Sequence, residues 1–428
     1  MNVLLIGSGG REHALAYRIK ENLTEGKLYI LPGNPGTQEY GENIPASADD
    51  FDFILSFCIE KQIDLIVIGP EKPLVNGLAD LLREKNFPVF GPNSLAAEIE
   101  AHKSFAKKIM ANYNIPSAAY REFSASMISE AKEYLLNHKY PCVIKADGLA
   151  AGKGVIICQD FQEAVNTLED LFIKKIFGKA GEKIIIEEFM EGEEASIFAI
   201  TDGEDFVCLP AAQDHKRIGN NDTGKNTGGM GAYSPAPLIT DLILDKVKSK
   251  IIQPILDAMS KEGRKFSGCL YCGLMIKDNE PRVVEFNCRF GDPETQAVMP
   301  LIKGNFLNLL YSCAKGKLDK NSISYNGGAS VCVVAASRGY PDEFKTGFEI
   351  SGLKEARQDA IIFHAGTKKE DGKLVTNGGR VFGITSFVKQ NDLISAKQKA
   401  YQALSKINYE NIYYRSDISD KAIKKLNK

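Results

Sequence analysis

The first hundred residues alternate between apolar, strand-like runs and helical stretches, and no other feature restricts the fold of this chain so strongly. Four strands are predicted, at residues 3–6, 27–31, 64–68 and 86–90. A helix is predicted at residues 11–22, between the first two strands. Such alternation is typical of an open parallel sheet, which binds ligands beyond the carboxyl ends of its strands. Loops 7–10, 32–36 and 69–71 fall at those ends, so we expect a substrate site there.

Bulk properties exclude several classes of protein. With 428 residues, the chain is long enough for about three domains of roughly 150 residues each. A net charge of −2 gives no broad attraction to nucleic acid or to an anionic membrane, so neither is expected as a partner. No apolar run approaches the ~18 residues of a membrane span, and the short apolar start lacks the basic lead-in of a signal peptide. We expect a soluble protein of the cytoplasm.

The nine cysteines are scattered without regular spacing, which argues against a secreted disulfide scaffold and suits a reducing compartment. Cys269 and Cys272 form the only C-x-x-C pattern. The apolar residues around them predict a buried strand, which would put the two sulfurs on opposite faces. A shared zinc or redox role is therefore disfavoured.

A first candidate site is the sequence GSGGREH at residues 7–13, directly after a strand and at the start of a helix. Free backbone N–H groups at such a turn can bind an anion. A dinucleotide fingerprint would need a third glycine where Glu12 stands. It would also need an acidic residue at the end of the second strand, where residues 31–34 read LPGN. NAD binding is therefore disfavoured, while the phosphate of a smaller ligand and a merely tight turn both stay open.

A second candidate is the glycine-rich segment between two predicted strands at residues 143–155. Its glycines and lysines are Lys145, Gly148, Gly152, Lys153 and Gly154. A Walker A loop has four residues between its glycines and then Lys and Ser or Thr before a helix, whereas here three residues intervene and a β run follows. We interpret the segment as a flexible flap that offers amides and a lysine to a triphosphate. Lys145, inside the strand, would project into the pocket. The alternative is a hairpin with surface lysines.

The strand at residues 183–188 ends in a cluster of five glutamates. Taken alone, this cluster is typical of a solvated acidic turn. Beside a nucleotide flap, however, the strand end can offer backbone groups to adenine. One glutamate can then accept hydrogen bonds from the ribose hydroxyls.

Residues 283–295 predict a metal site at the end of a strand. Strand periodicity puts Glu285 and Asn287 on one face. Two oxygen ligands at this spacing can chelate Mg²⁺, which completes its octahedron with phosphate oxygens and water. Arg289, Asp292 and Glu294 then crowd a glycine- and proline-containing loop. A structural salt-bridge cluster is the alternative.

A polar cluster, QDHKR at residues 213–217, leads into a glycine-rich loop at residues 226–233. Loops with so little apolar content are usually functional or mobile. His215 could act as a general base or as an orienting hydrogen-bond donor, and the sequence does not choose between these roles.

In this order, the glycine-loop strand pair, the Glu-Glu-Phe-Met hinge and the Glu-x-Asn strand resemble the ATP-grasp superfamily. Residues 7–14, 213–217, 227–237 and 285–296 look like the signatures of one family within it, the phosphoribosylamine–glycine ligases, and the likeness covers nearly the whole chain. The implied fold class is α/β, with an amino-terminal open parallel (Rossmann-like) domain, an ATP-grasp core, a small flap and a small carboxyl-terminal α/β domain. The implied domains are residues 1–102, residues 103–122 with 189–325 (central ATP-grasp), residues 123–188 (flap) and residues 326–428.

The same resemblance implies roles for individual residues. The implied ATP contacts are Lys103, Lys145, Gly148, Gly152, Lys153, Gly154, Glu187, Glu188, Phe189, Met190 and Glu194. Within this set the glycine loop would cover the phosphates, residues 187–190 would hold adenine, and Glu194 would contact ribose, with Glu193 as its rival. The implied substrate contacts are Gly9, Gly10, Glu71, Asp214, Lys216, Arg289, Asp292 and Glu294. Arg289, Asp292 and Lys153 are the implied catalytic residues, and Glu285 and Asn287 the implied metal ligands.

By this resemblance, ATP, glycine and 5-phosphoribosylamine are the substrates of a ligase of purine synthesis that uses Mg²⁺ or Mn²⁺. The carboxylate of glycine would take the γ-phosphoryl group of ATP, and the amine would then attack the resulting glycyl phosphate. We expect a monomer that makes a transient contact with the enzyme producing phosphoribosylamine. The strand at residues 270–276 offers no acidic ligand for a second metal.

Three alternatives stand beside this reading. Another ATP-grasp carboxylate–amine ligase or carboxylase is disfavoured by loops 214–217 and 289–294. A dinucleotide oxidoreductase is disfavoured by Glu12. A nonenzymatic nucleotide sensor is disfavoured by the intact pair of Glu285 and Asn287, since a binder does not need to place a metal for phosphoryl transfer.

Overall fold

The structure is a computed structural model, and it describes residues 1–150, 154–325 and 327–426. Gly152 and Lys153 of the predicted phosphate loop lie outside the described residues. Within the described residues, no helix is long and apolar enough to cross a membrane.

The amino-terminal region is an open parallel sheet, as the alternation of strands and helices predicts. Its elements are β1 (Val3–Gly7), α1 (Gly10–Asn22), β2 (Leu28–Pro32), β3 (Glu42–Asn43), α2 (Phe51–Glu60), β4 (Leu65–Ile68), α3 (Glu71–Val75), α4 (Leu78–Glu84), β5 (Val89–Phe90), α5 (Ser94–Ala101) and α6 (Lys103–Asn112). The sheet order is β3-β2-β1-β4-β5, and every neighbouring pair is parallel. Leu4 and Ile6 pack into one core while Val3 and Leu5 pack into another, so β1 is buried on both faces.

Residues 94–112 form two helices, α5 and α6, with a break at His102. His102 has extended backbone angles, φ −130° and ψ 105°. The carboxylate of Asp147 accepts a hydrogen bond from Ser104 N at 2.6 Å and so caps the start of α6. This cap comes from a residue 43 positions away in the chain, which a local pattern cannot reveal. As a result, Lys103 is the first residue of its own helix.

The second region is a small antiparallel sheet covered by two helices. Its elements are β6 (Tyr120–Ser124), α7 (Ile128–Leu136), β7 (Cys142–Ala146), β8 (Val155–Cys158), α8 (Phe161–Phe172) and β9 (Lys183–Glu188), with the sheet order β6-β9-β7-β8. Ile144, Ile184 and Ile186 pack against the two helices. Because strand side chains alternate, Lys145 and Glu187 lie on the opposite face, which carries no helix of this region.

The third region contains the long central sheet. Its elements are β10 (Glu193–Thr201), β11 (Phe206–Cys208), β12 (Gln213–Asp214), β13 (Arg217–Gly219), β14 (Thr223–Asn226), β15 (Gly231–Ser234), α9 (Asp241–Val247), α10 (Gln253–Lys261), β16 (Gly268–Lys277), β17 (Glu280–Asn287), α11 (Glu294–Val298), β18 (Lys303–Gly304), α12 (Phe306–Ala314) and β19 (Ile323–Ser324). Strands β11-β10-β16-β17 form an antiparallel sheet. Cys269 and Cys272 point into two different cores, as predicted. A β-bulge in β17 leaves Val284 without a partner in β16.

The last region again combines strands with helices, and its main sheet is antiparallel. Its elements are β20 (Ala329–Ser337), α13 (Leu353–Ala356), β21 (Ile361–His364), β22 (Thr367–Glu370), β23 (Lys373–Thr376), β24 (Arg380–Val388), α14 (Leu393–Leu404), β25 (Ile412–Tyr413) and α15 (Asp420–Leu426). Its six-stranded sheet runs β12-β15-β20-β24-β21, with β25 beside β20. Strands β12 and β15 come from the predicted central domain, so the sheets do not divide at residue 325. The domain boundaries at residues 102, 122, 188 and 325 stay predictions.

Candidate active site

The turn after β1 is shaped by the side chain of Glu12. Its Oε2 accepts a hydrogen bond from Gly9 N at 2.7 Å. A Cβ atom on Gly7 would lie 2.4 Å from Glu12 Cγ, and one on Gly69 would lie 2.3 Å from Glu12 Oε1. Glu12 therefore fills the space between the ends of β1 and β4, and the two glycines make room for it. This agrees with the sequence argument against a dinucleotide site.

Gly10 and Asp292 bring the amino-terminal turn and the loop after β17 together. A Cβ atom on Gly10 would lie 2.6 Å from Gln296 Nε2, and that same nitrogen donates to Asp292 Oδ1 at 2.7 Å. From the carboxyl-terminal region, Arg380 donates to the backbone oxygen of Asp292 at 2.8 Å and to its Oδ2 at 3.1 Å. Arg380 was not among the predicted site residues, because only the fold brings the start of β24 to this loop.

Arg289 is held by two carboxylates. Its Nη2 lies 2.8 Å from Glu100 Oε1, and its Nε lies 3.3 Å from Glu71 Oε2. Glu71 also lies 4.0 Å from the guanidinium of Arg11. Burial opposes ionisation of Glu71, but Arg289 and Arg11 outweigh it and lower the pKa of that carboxyl. Burial raises the pKa of Glu100, and the nearby Glu71 adds to this, while Arg289 opposes it. Arg289 is thus fixed before any ligand arrives.

Glu285 and Asn287 lie on one face of β17, as predicted, and neither side chain makes a hydrogen bond or ion pair with any described residue. Burial opposes ionisation of Glu285, but Lys216, Lys145, Lys103 and Arg289 together lower its pKa. Two oxygen donors, one of them an ionised carboxylate, are thus left free on one surface. Among residues 1–150, 154–325 and 327–426, no group of three or more His, Cys, Asp or Glu side chains forms a metal site by itself. A cation held here would need further oxygens from a ligand or from water.

Lys216 joins the predicted ribose residue to this surface. Its Nζ lies 2.6 Å from Glu194 Oε2. Burial raises the pKa of Asp214 well above its usual range, and Glu294, Glu194 and Glu285 add to this while Lys216 opposes it. Asp214 therefore lies close to three carboxylates and one lysine, all of which influence its pKa.

Glu294 is buried beneath this surface. Its Oε1 accepts hydrogen bonds from Ser196 Oγ and Tyr271 OH, both at 3.0 Å. Its other oxygen would lie 2.6 Å from a Cβ atom on Gly291. These contacts fix the loop after β17 to β10 and β16.

The beginning of the glycine-rich loop is tied to the start of α6. Lys103 Nζ donates to Gly148 O at 3.2 Å, and Lys103 N donates to Asp147 O at 3.2 Å. Gly148 N in turn donates to Ala180 O at 3.1 Å. Lys103 and Gly148, both predicted ATP contacts, are therefore neighbours. On the return side of the loop, Gly154 O accepts a hydrogen bond from Ala146 N at 2.8 Å.

Lys145 is paired with Glu187 on the face of the flap that carries no helix. Its Nζ lies 2.9 Å from Glu187 Oε2 and donates to Val284 O, at the bulge in β17, at 3.1 Å. Lys107 Nζ lies 3.2 Å from the other carboxylate oxygen of Glu187. Lys107 was not among the predicted site residues, because its burial beside Glu187 depends on the fold.

The rest of the hinge is less enclosed. Glu188 pairs with Arg282 and accepts a hydrogen bond from Ala119 N at 3.0 Å. The side chain of Phe189 is exposed, and that of Met190 is buried. Glu193, the rival ribose residue, pairs with Lys425 on α15.

His215 faces away from this surface. Asp214 and Lys216, on either side of it, act electrostatically on Glu285 and Glu194, whereas the charges acting on His215 belong to Arg415, Lys421, Asp222 and Asp417. Burial, with Arg415 and Lys421, lowers the pKa of His215 to about 4. Neither ring nitrogen makes a hydrogen bond with a described residue. His215 is thus a neutral core side chain, and this favours neither of the roles that the sequence left open.

Three family profiles together match most of the chain. The phosphoribosylglycinamide synthetase N domain matches residues 1–100, its ATP-grasp (A) domain matches residues 101–295, and its C domain matches residues 330–421. A phosphoribosylamine–glycine ligase of Leptospira interrogans is 47% identical over 426 residues, which cover 99% of each chain.

Solved structures give the same picture. The crystal structure of a phosphoribosylamine–glycine ligase from Thermotoga maritima superposes with a TM-score of 0.85 at 34% identity, covering 98% of this chain and 100% of that one. A biotin carboxylase domain of Hydrogenobacter thermophilus 2-oxoglutarate carboxylase, in complex with MgADP, superposes with a TM-score of 0.70 at 16% identity, over 96% and 91% of the two chains. The latter shows the shared ATP-grasp fold alone. With all three profiles matched and a relative near half identity along its whole length, this chain belongs to the phosphoribosylglycinamide synthetase family.

Proposed function

We propose that this protein joins glycine to 5-phosphoribosylamine at the expense of ATP, forming glycinamide ribonucleotide, ADP and phosphate in purine biosynthesis. The observation that carries this proposal is the meeting of three features at the end of β17. Free oxygen donors of Glu285 and Asn287 face lysines from the flap and from α6, and the loop that follows them touches the amino-terminal turn. Triphosphate, metal and a second substrate can therefore share one place.

We place the nucleotide between the flap sheet and β17, where Lys145 meets the central sheet. We assign the phosphates to Lys103, Lys145 and the loop of Gly148, Gly152, Lys153 and Gly154. Adenine is assigned to residues 187–190, at the end of β9. Ribose is assigned to Glu194, which is half-exposed and would have to share its ion pair with Lys216.

The residues present fit Mg²⁺, and we propose Glu285 and Asn287 as its ligands, with Mn²⁺ as an alternative. The fit rests on an ionised carboxylate and an amide oxygen that are free on one strand face. Bound with phosphate oxygens, the ion would supply positive charge beside the transferred phosphoryl group.

The substrate end lies toward the parallel sheet. We assign glycine and the amine to Glu71, Asp214, Lys216, Arg289, Asp292 and Glu294. The phosphate of phosphoribosylamine is assigned to Gly9 and Gly10 at the start of the 13-residue helix α1, with Arg380 beside Asp292. Arg289 and Asp292 are proposed to orient the reacting groups, because both are already fixed by ion pairs.

The proposed chemistry has two steps. The carboxylate of glycine attacks the γ-phosphoryl group, so that glycyl phosphate forms and ADP leaves. To Lys103, Lys145 and Lys153 we assign the stabilisation of charge on the phosphates. The amine of phosphoribosylamine then attacks the acyl carbon, and phosphate leaves. Since an acyl phosphate hydrolyses in water, closure of the flap over the site is part of the proposal.

ADP release tests this function directly. The purified protein would be given ATP, Mg²⁺, glycine and phosphoribosylamine generated in place, and each component would be omitted in turn. We expect ADP only when all are present. Release that does not depend on glycine would reject the ligation and leave only an ATP-grasp enzyme that acts on another acid.

We also propose that the protein works in the cytoplasm as a monomer that meets the phosphoribosylamine-producing enzyme only transiently. All nine cysteines are free, which supports a reducing compartment. Sedimentation of the purified protein alone would test the monomer.

A further inference from the structure

Lys107 is a buried cation that the proposed chemistry does not use. Lys107 is only 2% exposed, and lysine is almost never fully buried unless it is paired. It lies one turn after Lys103 on α6, and its Nζ donates to Ala118 O at 3.0 Å. The same Nζ lies 3.2 Å from Glu187 Oε1. Lys107 is therefore fixed by a backbone oxygen and a carboxylate, both on the side of α6 that meets the flap.

Glu187 links Lys107 to the nucleotide site. It is 2% exposed and offers one oxygen to each of two lysines, Lys107 from α6 and Lys145 from β7. Lys145 also donates to Val284 O on the central sheet. A chain of contacts thus runs from α6 through the flap sheet to β17. Lys145 is thus held from two sides, by the carboxylate of Glu187 and by the backbone oxygen of Val284.

The charges in this chain do not balance. Two buried cations, Lys107 and Lys145, share the buried carboxylate of Glu187. Nearby, Arg282 is paired with Glu188, and Glu285 acts on Lys103. Burial lowers the pKa of Lys107 to about 8, Glu187 opposes this, and Lys145 and Arg282 reinforce it. A buried ion pair with one surplus cation is unfavourable by itself. The surplus becomes favourable when an anion with several charges binds beside it.

We propose that Lys107 is a positioning residue, which divides the negative charge of Glu187 and so leaves Lys145 free to bind the nucleotide phosphates. This rests on the proposed nucleotide site at Lys145. Without Lys107, the whole charge of Glu187 acts on Lys145, and the cluster loses its net positive charge. ATP then meets a neutral pair instead of a cation. Glycine and phosphoribosylamine bind at the other end of the site and keep their contacts.

The test compares Lys107→Met with Lys108→Met. Lys108 is the next residue on α6 and is exposed, so it controls for the loss of one lysine from this helix. We expect Lys107→Met to raise the KM for ATP about tenfold, with kcat and the KM for glycine near the wild-type values. Lys108→Met should change none of them. Equal behaviour of the two variants would overturn the proposal.

A second comparison separates charge sharing from simple support of the fold. In a Glu187→Gln background there is no carboxylate charge to divide, so adding Lys107→Met should leave the KM for ATP unchanged. An additional tenfold rise in the double variant would show that Lys107 acts by another route and would overturn the proposal. If Lys107→Met does not fold, Lys107→Gln keeps the hydrogen bond to Ala118 without the charge and replaces it in both comparisons.

Lys145→Met distinguishes a failure of this inference from a failure of the proposed function. If Lys145→Met leaves the KM for ATP unchanged, the nucleotide site itself is misassigned. If Lys145→Met impairs ATP binding while Lys107→Met behaves like Lys108→Met, only the role of Lys107 is rejected.

Discussion

The two ends of the site handle charge differently. At the substrate end, Arg289 and Arg11 are matched by Glu12, Glu71 and Glu100, so that cations and carboxylates neutralise one another. At the nucleotide end, Lys107 and Lys145 share one carboxylate, Glu187, while Lys103 and Lys145 also act on Glu285, which makes no ion pair with a described residue. At the substrate end, the ion pairs hold the side chains in place without a ligand. The nucleotide end pairs its cations incompletely, so that they can still act on a bound polyanion, and this difference suits a site that must bind ATP and release ADP.

The largest expected effect is at Glu285, where cations of both ends act on one carboxylate. Glu285→Ala should lower kcat at least a hundredfold, which corresponds to about 3 kcal/mol of barrier, because a proposed metal ligand beside the transferred phosphoryl group is lost. ADP release at saturating substrates measures it. Glu280→Ala, at the exposed start of the same strand, should remain within a factor of two of wild type, since it removes only surface pairs to Lys246 and Lys250. Similar losses in both variants would mean that β17 merely tolerates substitution poorly.

Removing one cation from each end tests whether the two ends differ in how fully their charges are paired. Arg289→Met leaves Glu100 buried without its partner, so we expect the free energy of unfolding to fall by about 3 kcal/mol. Lys145→Met leaves Glu187 still paired with Lys107, so its unfolding free energy should stay within about 1 kcal/mol of wild type.

Urea denaturation of both variants measures this contrast. Arg264→Met, which removes a partly exposed pair with Glu98, is the control for loss of an arginine. Adding Glu100→Gln to Arg289→Met should restore part of the loss, because the unpaired charge disappears. Equal losses at the two ends would contradict the idea that only the nucleotide end has cations to spare.

The smallest effect concerns pH. Lys107 has a pKa of about 8 in the folded protein, lowered by burial, against 10.5 for an ordinary lysine. Between these values the unfolded chain holds a proton that the folded protein has lost, so the contribution of Lys107 to the unfolding free energy rises with pH. Relative to Lys107→Met, wild type should gain about 1–2 kcal/mol between roughly pH 8 and pH 9.5. Denaturation curves across that range, with Lys108→Met as reference, would show no difference in slope if the nucleotide end were already neutral.

Sequence patterns predicted the elements whose signals are local. The parallel sheet followed from alternating apolar runs, and the common face of Glu285 and Asn287 followed from the two-residue period of a strand. The position of Lys145 inside a strand, next to the glycine-rich loop, was equally readable.

The parts that escaped prediction depend on partners far along the chain. The break at His102 needs the cap from Asp147, and the place of Arg380 needs β24 to pack beside the loop of Asp292. In the sequence, Lys107 is indistinguishable from an exposed lysine of an amphipathic helix. Only the structure shows that it lies beside Glu187. In each case, burial and pairing are set by tertiary contacts, which a residue pattern does not contain.

The six-stranded sheet has a consequence for how this chain is made. Strand β15 pairs with β20, and Gly231 lies opposite Val333, about a hundred residues later. At ribosomal speeds of 5–20 residues per second, β15 emerges roughly 5–20 s before its partner exists. During that interval β15 is an edge strand with an unpaired row of backbone groups, open to wrong pairing. The neighbouring strand β12, which carries Asp214, pairs with the other edge of β15. The nascent chain must therefore reach the last quarter of its length before the sheet that carries Asp214 can be completed.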